Sequence, residues 1–177
     1  FIIQNLDIST KPIQIKDLIS FTKTFYSSPE LIIFEKLSSI KGFLIADIKI
    51  YFDNKGNIKD NYLAKGYIKN TRFNLLQKLN LEKLNLIFKI EKNNFEFKDI
   101  EFSLNNVDFI SEKINLRKIQ RGYAVKGLFS NKIVELESRN LNLFKDKFLP
   151  NLILEKIKFS SKNKFSFNLD KNFKIKN

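Results

Sequence analysis

The chain contains no histidine, cysteine, methionine or tryptophan, and only five glycines and three prolines in 177 residues. Each zero removes a class of chemistry. Without His and Cys there is no imidazole general base, no Ser–His or thiolate nucleophile and no His- or Cys-ligated zinc or haem. No disulfide can form, although that alone selects no compartment. Without Met, Phe1 is not a natural start, and the sequence is expected to be an excerpt of a longer protein or a processed chain. No run of eighteen apolar residues occurs, so no helical membrane span is predicted. The opening Phe1-Ile2-Ile3-Gln4-Asn5 is too short and polar for a signal peptide.

What is present is mostly Lys, Ile, Asn and Phe. Lys and Arg number 32 against 19 Asp and Glu, a net charge of +13. Such a balance raises nucleic acid or an anionic membrane as partner. Only Arg72, Arg117, Arg121 and Arg139 are arginines, however, and no three basic residues adjoin. Arg, not Lys, reads phosphate and guanine bidentately. Lysines scattered singly between apolar residues describe a solvated face and argue against a nucleic-acid partner. A basic nucleic-acid-binding module is kept only as a second alternative.

Residues 1–41 read as a segment with two short amphipathic helices. Ile15, Leu18, Ile19, Phe25 and Tyr26 share one helical face. Ser28 then suits an N-cap, Pro29 the first helical position and Gly42 a C-terminal cap.

From Gly42 the period changes to two, and residues 42–177 read as an antiparallel β segment. Leu44, Ala46, Ile48, Ile50 and Phe52 alternate with a mixed face, and Asn54-Lys55-Gly56 turns the chain. Ile68 lies in the next strand. Leu84, Leu86, Phe88 and Ile90 form one arm of a hairpin, and Phe95 and Phe97 resume beyond Lys92-Asn93-Asn94. Parity then slips to Ile100, Phe102 and Leu104, which predicts a β-bulge near Lys98-Asp99. Asn105-Asn106 turns again, Ile110, Ile114 and Leu116 follow, then Tyr123, Val125, Gly127 and Phe129. Val134 and Leu136 mark a further strand. After Phe144 to Pro150 the alternation returns at Leu152, Leu154, Ile157 and Phe159, turns at Ser161-Lys162-Asn163 and ends on Phe165, Phe167, Leu169, Phe173 and Ile175. A weak repeat sets Leu81-Glu82-Lys83-Leu84 and Leu154-Glu155-Lys156-Ile157 each ahead of a hairpin. The expected fold is mainly β: a curved antiparallel sheet of about nine strands in a hairpin meander, an open groove preceded by two short α-helices.

Catalytic and metal sites are not predicted. Asp99 with Glu101, and Glu135 with Glu137, are same-face neighbours that read as solvated charges. Asp53-Asn54-Lys55-Gly56-Asn57 imitates half a calcium loop but lacks the Glu at its twelfth position. No glycine-rich phosphate loop exists. A non-enzymatic protein without cofactor is expected.

The apolar face is the feature that asks for a ligand. Nine strands at about 4.8 Å spacing span roughly 40 Å, more than two short helices need cover. An acyl chain of ~16 carbons gains ~12 kcal/mol gross from burial, at about 0.8 kcal/mol per CH₂. Lysines at the rim add attraction for anionic headgroups. Candidate groove residues are Leu44, Ala46, Ile48, Ile50, Phe52, Ile68, Leu84, Leu86, Phe88, Ile90, Phe95, Phe97, Ile100, Phe102, Leu104, Val125, Phe165 and Phe167.

The stretch Ser28-Pro29-Glu30-Leu31…Leu37-Ser38-Ser39-Ile40-Lys41-Gly42, the strand running into Asp53-Asn54-Lys55-Gly56, and the later Ala64-Lys65-Gly66-Tyr67-Ile68, Leu84-Asn85-Leu86, Phe97-Lys98-Asp99-Ile100 and Val125-Lys126-Gly127 resemble segments of AsmA-like proteins of the TamB and YhdP type. The resemblance covers about residues 40–175 and brings no catalytic residue. It implies a repeating β-groove that carries phospholipid from inner to outer membrane of a Gram-negative cell. It also implies periplasmic placement, with an inner-membrane anchor N-terminal to Phe1. Further strands would then pair with the C-terminal edge at Asn172–Asn177. The alternative is a self-contained structural or protein-binding β domain with a dry core.

Overall fold

A computed structural model of the chain describes residues 3–25, 41–59, 61–76, 79–137, 156–171 and 174–176. Strands β1 (Asn5–Ser9) and β2 (Ile13–Gln14) precede helix α1 (Ile15–Phe25). There follow β3 (Lys41–Tyr51), β4 (Leu63–Leu76), β5 (Leu79–Glu91), β6 (Asn94–Leu104), β7 (Val107–Ile119), β8 (Gly122–Glu137), β9 (Lys156–Leu169) and β10 (Ile175–Lys176). All lie in one antiparallel sheet whose order follows the chain from β1 through β3 to β10, with β2 also on β3. The first and last strands do not pair with each other, so the sheet is open.

The register sorts the side chains into two faces. Ala46, Gly66, Phe88, Phe97, Ile114, Gly127 and Phe165 are successive cross-strand partners from β3 to β9. One residue along, the partners are Asp47, Lys65, Lys89, Glu96, Asn115, Lys126 and Ser166. Alternation with period two converts the sequence pattern directly into an apolar and a polar surface.

Local chemistry sets the turns. Asn105 and Asn106 both take positive φ, 48° and 68°, between β6 and β7; this is the two-residue hairpin conformation that asparagine tolerates. After β3, the Asp53 carboxylate accepts from the backbone N–H of Lys55 and Asn57, each at 2.8 Å, and from Asn57 Nδ2 at 3.1 Å. These bonds to its charged form hold the Asp53 carboxyl below its ordinary range. The half calcium loop of the sequence is therefore a turn closed by its own aspartate.

The predicted bulge near Lys98-Asp99 is present. Asp99 has φ 48°, and the β5–β6 register shifts opposite it. It belongs to a diagonal row of irregularities that crosses the sheet. Gly42 (φ 138°), Asn70 (φ 51°) and Lys83 (φ 54°) mark it on β3, β4 and β5, and register shifts at Ile110/Ile114 and Asn131/Val134 continue it through β7 and β8.

Several expectations are corrected. The segment 1–41 contributes β1 and β2 to the sheet as well as helix α1. The second helix, its Ser28 and Pro29 caps, and the stretches around Phe144–Pro150 and Leu152–Leu154 lie outside the described residues. Gly42 is not a helix cap; it sits within β3 in an extended positive-φ conformation, where a Cβ would stand 2.3 Å from Thr71 Oγ1. The described strands number ten, two of them in the segment expected to be helical and eight from Lys41 onward. Val134 and Leu136 continue β8 past the bulge instead of forming a strand of their own. Ser161-Lys162-Asn163 is not a turn, because β9 runs straight through it, opposite Asn131 to Phe129. The proposed repeat fails with it, since one copy precedes a hairpin and the other opens a single strand.

Candidate functional site

All the candidate groove residues except Phe52 share the apolar face by register. Ile48, Ala64, Ile90, Phe95, Leu116, Val125 and Phe167 form a second cross-strand row beside the first, extended on β1 by Ile8. Leu44, Ile68 and Leu86 form a third on β3 to β5. Ile50 meets Leu6 of β1, Leu84 meets Thr71, and Leu104 lies between Leu81 and Val107. Phe52 stands beyond the end of β3, bridged to Ile58 across the turn.

Aromatic rings tie this face together across strands. Phe102 stacks on Phe109 at 5.4 Å between centroids, and reaches Phe129, two strands away, edge-on at 5.3 Å. Phe129 stacks on Phe165 at 5.0 Å, and Phe165 lies 5.8 Å from Phe167. Phe95 and Tyr123, again two strands apart, meet edge-on at 6.3 Å. Strands two apart are separated by about 9.6 Å, so the rings lean together over β7. Small residues alternate with large ones beneath them: a Cβ on Gly127 would come 2.6 Å from Phe165 Cζ, which places that ring directly over the glycine.

The face is nevertheless thinly covered. Ala46, Phe88, Ile100, Val107, Tyr123 and Val125 are its buried apolar side chains, and no large side chain of the chain falls below 2% exposure among the described residues. Helix α1 packs mainly on β2 and β3 among the described residues, with Ile15 buried there. Leu6 and Ile8 on β1 remain exposed.

Sequence reasoning missed Val107 and Phe109 as members of this face, read Tyr123 and Phe129 in its alternation without counting them as groove residues, and placed Ile110 with Ile114. Ile110 instead pairs with Ser130 on the other face and is 47% exposed. The parity of Val107 and Phe109 was the available signal, but Ser111 at the next position on the same face concealed it.

The opposite face carries the charge. Glu96 on β6 accepts from Lys98 Nζ at 2.9 Å and from Lys113 Nζ of β7. The hydrogen bonds from Lys113 and then Lys98 lower its carboxyl from 4.5 to about 2. Glu135 is held down likewise by Lys156 and Lys158 of β9. A depressed folded-state carboxyl stabilises the fold above its unfolded value and loses that contribution as pH falls through the folded one. Thermal melts should thus show Glu96→Gln below wild type at pH 7, with the gap closing between about pH 4.5 and pH 2. A gap unchanged over that interval would remove the ion pairs as its cause.

Among the described residues no group of three acidic side chains is placed to hold a metal ion, and no helix is long and apolar enough to cross a membrane. The chemistry this surface offers is contact with hydrocarbon on one side and with water or charge on the other. Neither family models, curated proteins nor solved structures provide a match to the chain.

Proposed function

We propose that this chain is a module of an AsmA-like envelope protein whose apolar β-face holds phospholipid acyl chains in transit between the two membranes of the cell envelope. The carrying observation is an apolar face, continuous over seven strands, most of whose side chains are only half-buried by the described residues. The accessible surface of 13,484 Å² compares with about 9,000 Å² for a compact globule of this mass. A dry-core domain of this length would bury many large side chains completely; here Phe88, Ile100 and Tyr123 are buried, and most others of the described face stay half-buried. Strands that follow chain order suit a groove that lengthens by adding hairpins.

In this reading binding needs no catalytic residue. Acyl chains lie across the Phe and Ile rows, and the lysines of the opposite face and the rim stay in water near anionic headgroups. The test is native mass spectrometry of the chain expressed in bacteria, with photo-crosslinking by a labelled phospholipid. Co-purifying phospholipid and label on β5 to β9 are expected. A clean apo mass without crosslinking would favour the self-contained β domain instead.

A further inference from the structure

We infer that a polar island within the apolar face on β7 to β9, built by Ser111, Asn131, Ser161 and Asn163, is the seat for an uncharged acceptor of the guest, of the kind an ester carbonyl presents. The inference rests on the proposed groove and specifies where the polar–apolar junction of the lipid lies.

The island surrounds Phe129. Continuing the β7–β8 register from Ile110 and Ser130 sets Ser111 opposite Phe129 on one side, while Asn163 of β9 is its partner on the other. Asn131, two residues along β8, pairs with Ser161. Three of the four are joined: Asn163 Nδ2 donates to Ser161 Oγ at 2.8 Å, and Ser161 Oγ donates to Asn131 Oδ1 at 2.5 Å. Asn131 Nδ2 turns back to the Lys132 carbonyl at 2.7 Å.

Ser111 is the exception. It is 3% exposed, between Ile100 and Phe129, and its hydroxyl has no hydrogen-bond partner. A buried hydroxyl without a partner is costly and calls for a specific reason. Thr71 Oγ1 is a second such atom, but it occupies the space that a side chain on Gly42 would fill, so packing accounts for it. Ser111 faces no such glycine; it lies in the β7 irregularity between Ile110 and Ile114.

No charged side chain belongs to the island. It therefore favours a neutral acceptor over a phosphate, whose charge would lose solvation there without compensation. A guest chain that takes the place of the Phe129 ring beside Ser111 brings its own oxygen to that hydroxyl.

The experiment compares a diacyl ester phospholipid with its dialkyl ether analogue of the same head group and chain length, as vesicles, on the full chain and on Ser111→Ala. Wild type should retain the ester about 3- to 10-fold better, the weight of one neutral hydrogen bond. Ser111→Ala should bind both alike, and without lipid should melt a few degrees higher because the orphaned hydroxyl is gone. Equal retention of ester and ether by wild type would overturn the inference while leaving the groove intact. A preference for the ester that survives in Ser111→Ala would overturn it too. Retention of neither lipid would instead overturn the groove.

Discussion

Phe165→Asp is expected to abolish phospholipid retention while leaving a folded sheet. Phe165 lies over Gly127, stacks on Phe129 and neighbours Phe167, so its replacement puts a carboxylate into the aromatic centre of the apolar face. Holding an ionised carboxylate against hydrocarbon costs several kcal/mol, and each 1.4 kcal/mol is a factor of ten in affinity; a loss of about 100-fold or more follows. The position also suits the test structurally. β9 is reached late in the sheet order, and Phe165 is half-buried, so the carboxylate can turn to water in the lipid-free chain. Lipid phosphorus per protein after gel filtration gives the readout, with circular dichroism for the fold and Phe165→Leu as the apolar control. Retention equal to wild type would show that lipid, if bound at all, does not lie on this face.

Gly66→Ala is expected to be severely damaging for a single added methyl. Gly66 sits between Ala46 and Phe88 in the central apolar row, and a Cβ there would stand 2.0 Å from the Ile45 carbonyl oxygen and 2.9 Å from Ala46 Cα. Those are backbone atoms of the neighbouring strand, which can yield only by parting β3 from β4. Overpacking of this kind costs about 3 kcal/mol, and in a domain of this size about 2–4 °C in Tm per kcal/mol, so a drop of roughly 10 °C is anticipated by calorimetry. Gly56, whose Cβ would meet nothing but whose φ of 82° disfavours any side chain, isolates backbone strain from steric clash within the same chain. A Gly66→Ala melt within about two degrees of wild type would contradict the close approach of these strands.

The sequence announced those parts of the fold in which local and cross-strand chemistry agree. Leu84 to Ile90 and Phe95 to Phe97 alternate without interruption, and their turn and pairing are as the pattern predicts. The bulge at Asp99 was legible because it shifts the parity of the apolar residues on either side of it. The errors occur where polar residues occupy the apolar face. Ser161-Lys162-Asn163 has the composition of a turn, and only the pairing with Asn131 and Phe129 reveals that Ser161 and Asn163 belong to the polar island. Ser111 likewise hid the parity of Val107 and Phe109. In the N-terminal segment, Asn5 to Ser9 offers just two apolar residues, too few to announce a strand whose partner lies some forty positions on. Of the candidate site, the apolar rows could be read; the island could not, because it depends on three strands being brought into one register.

The order of strands has a consequence for how the chain acquires its structure. Each strand from β4 onward rests on the one just before it in the chain, so none of these segments must wait for a distant partner before it can pair. Loop closure stays short at the hairpins from β4 to β8, and the sheet can nucleate at any of them and grow outward, as stacked repeats do. Nor does any ring have to be completed. Gain or loss of a hairpin at one edge leaves the parity of every other strand untouched, so the length of the apolar track can vary between related chains without its redesign.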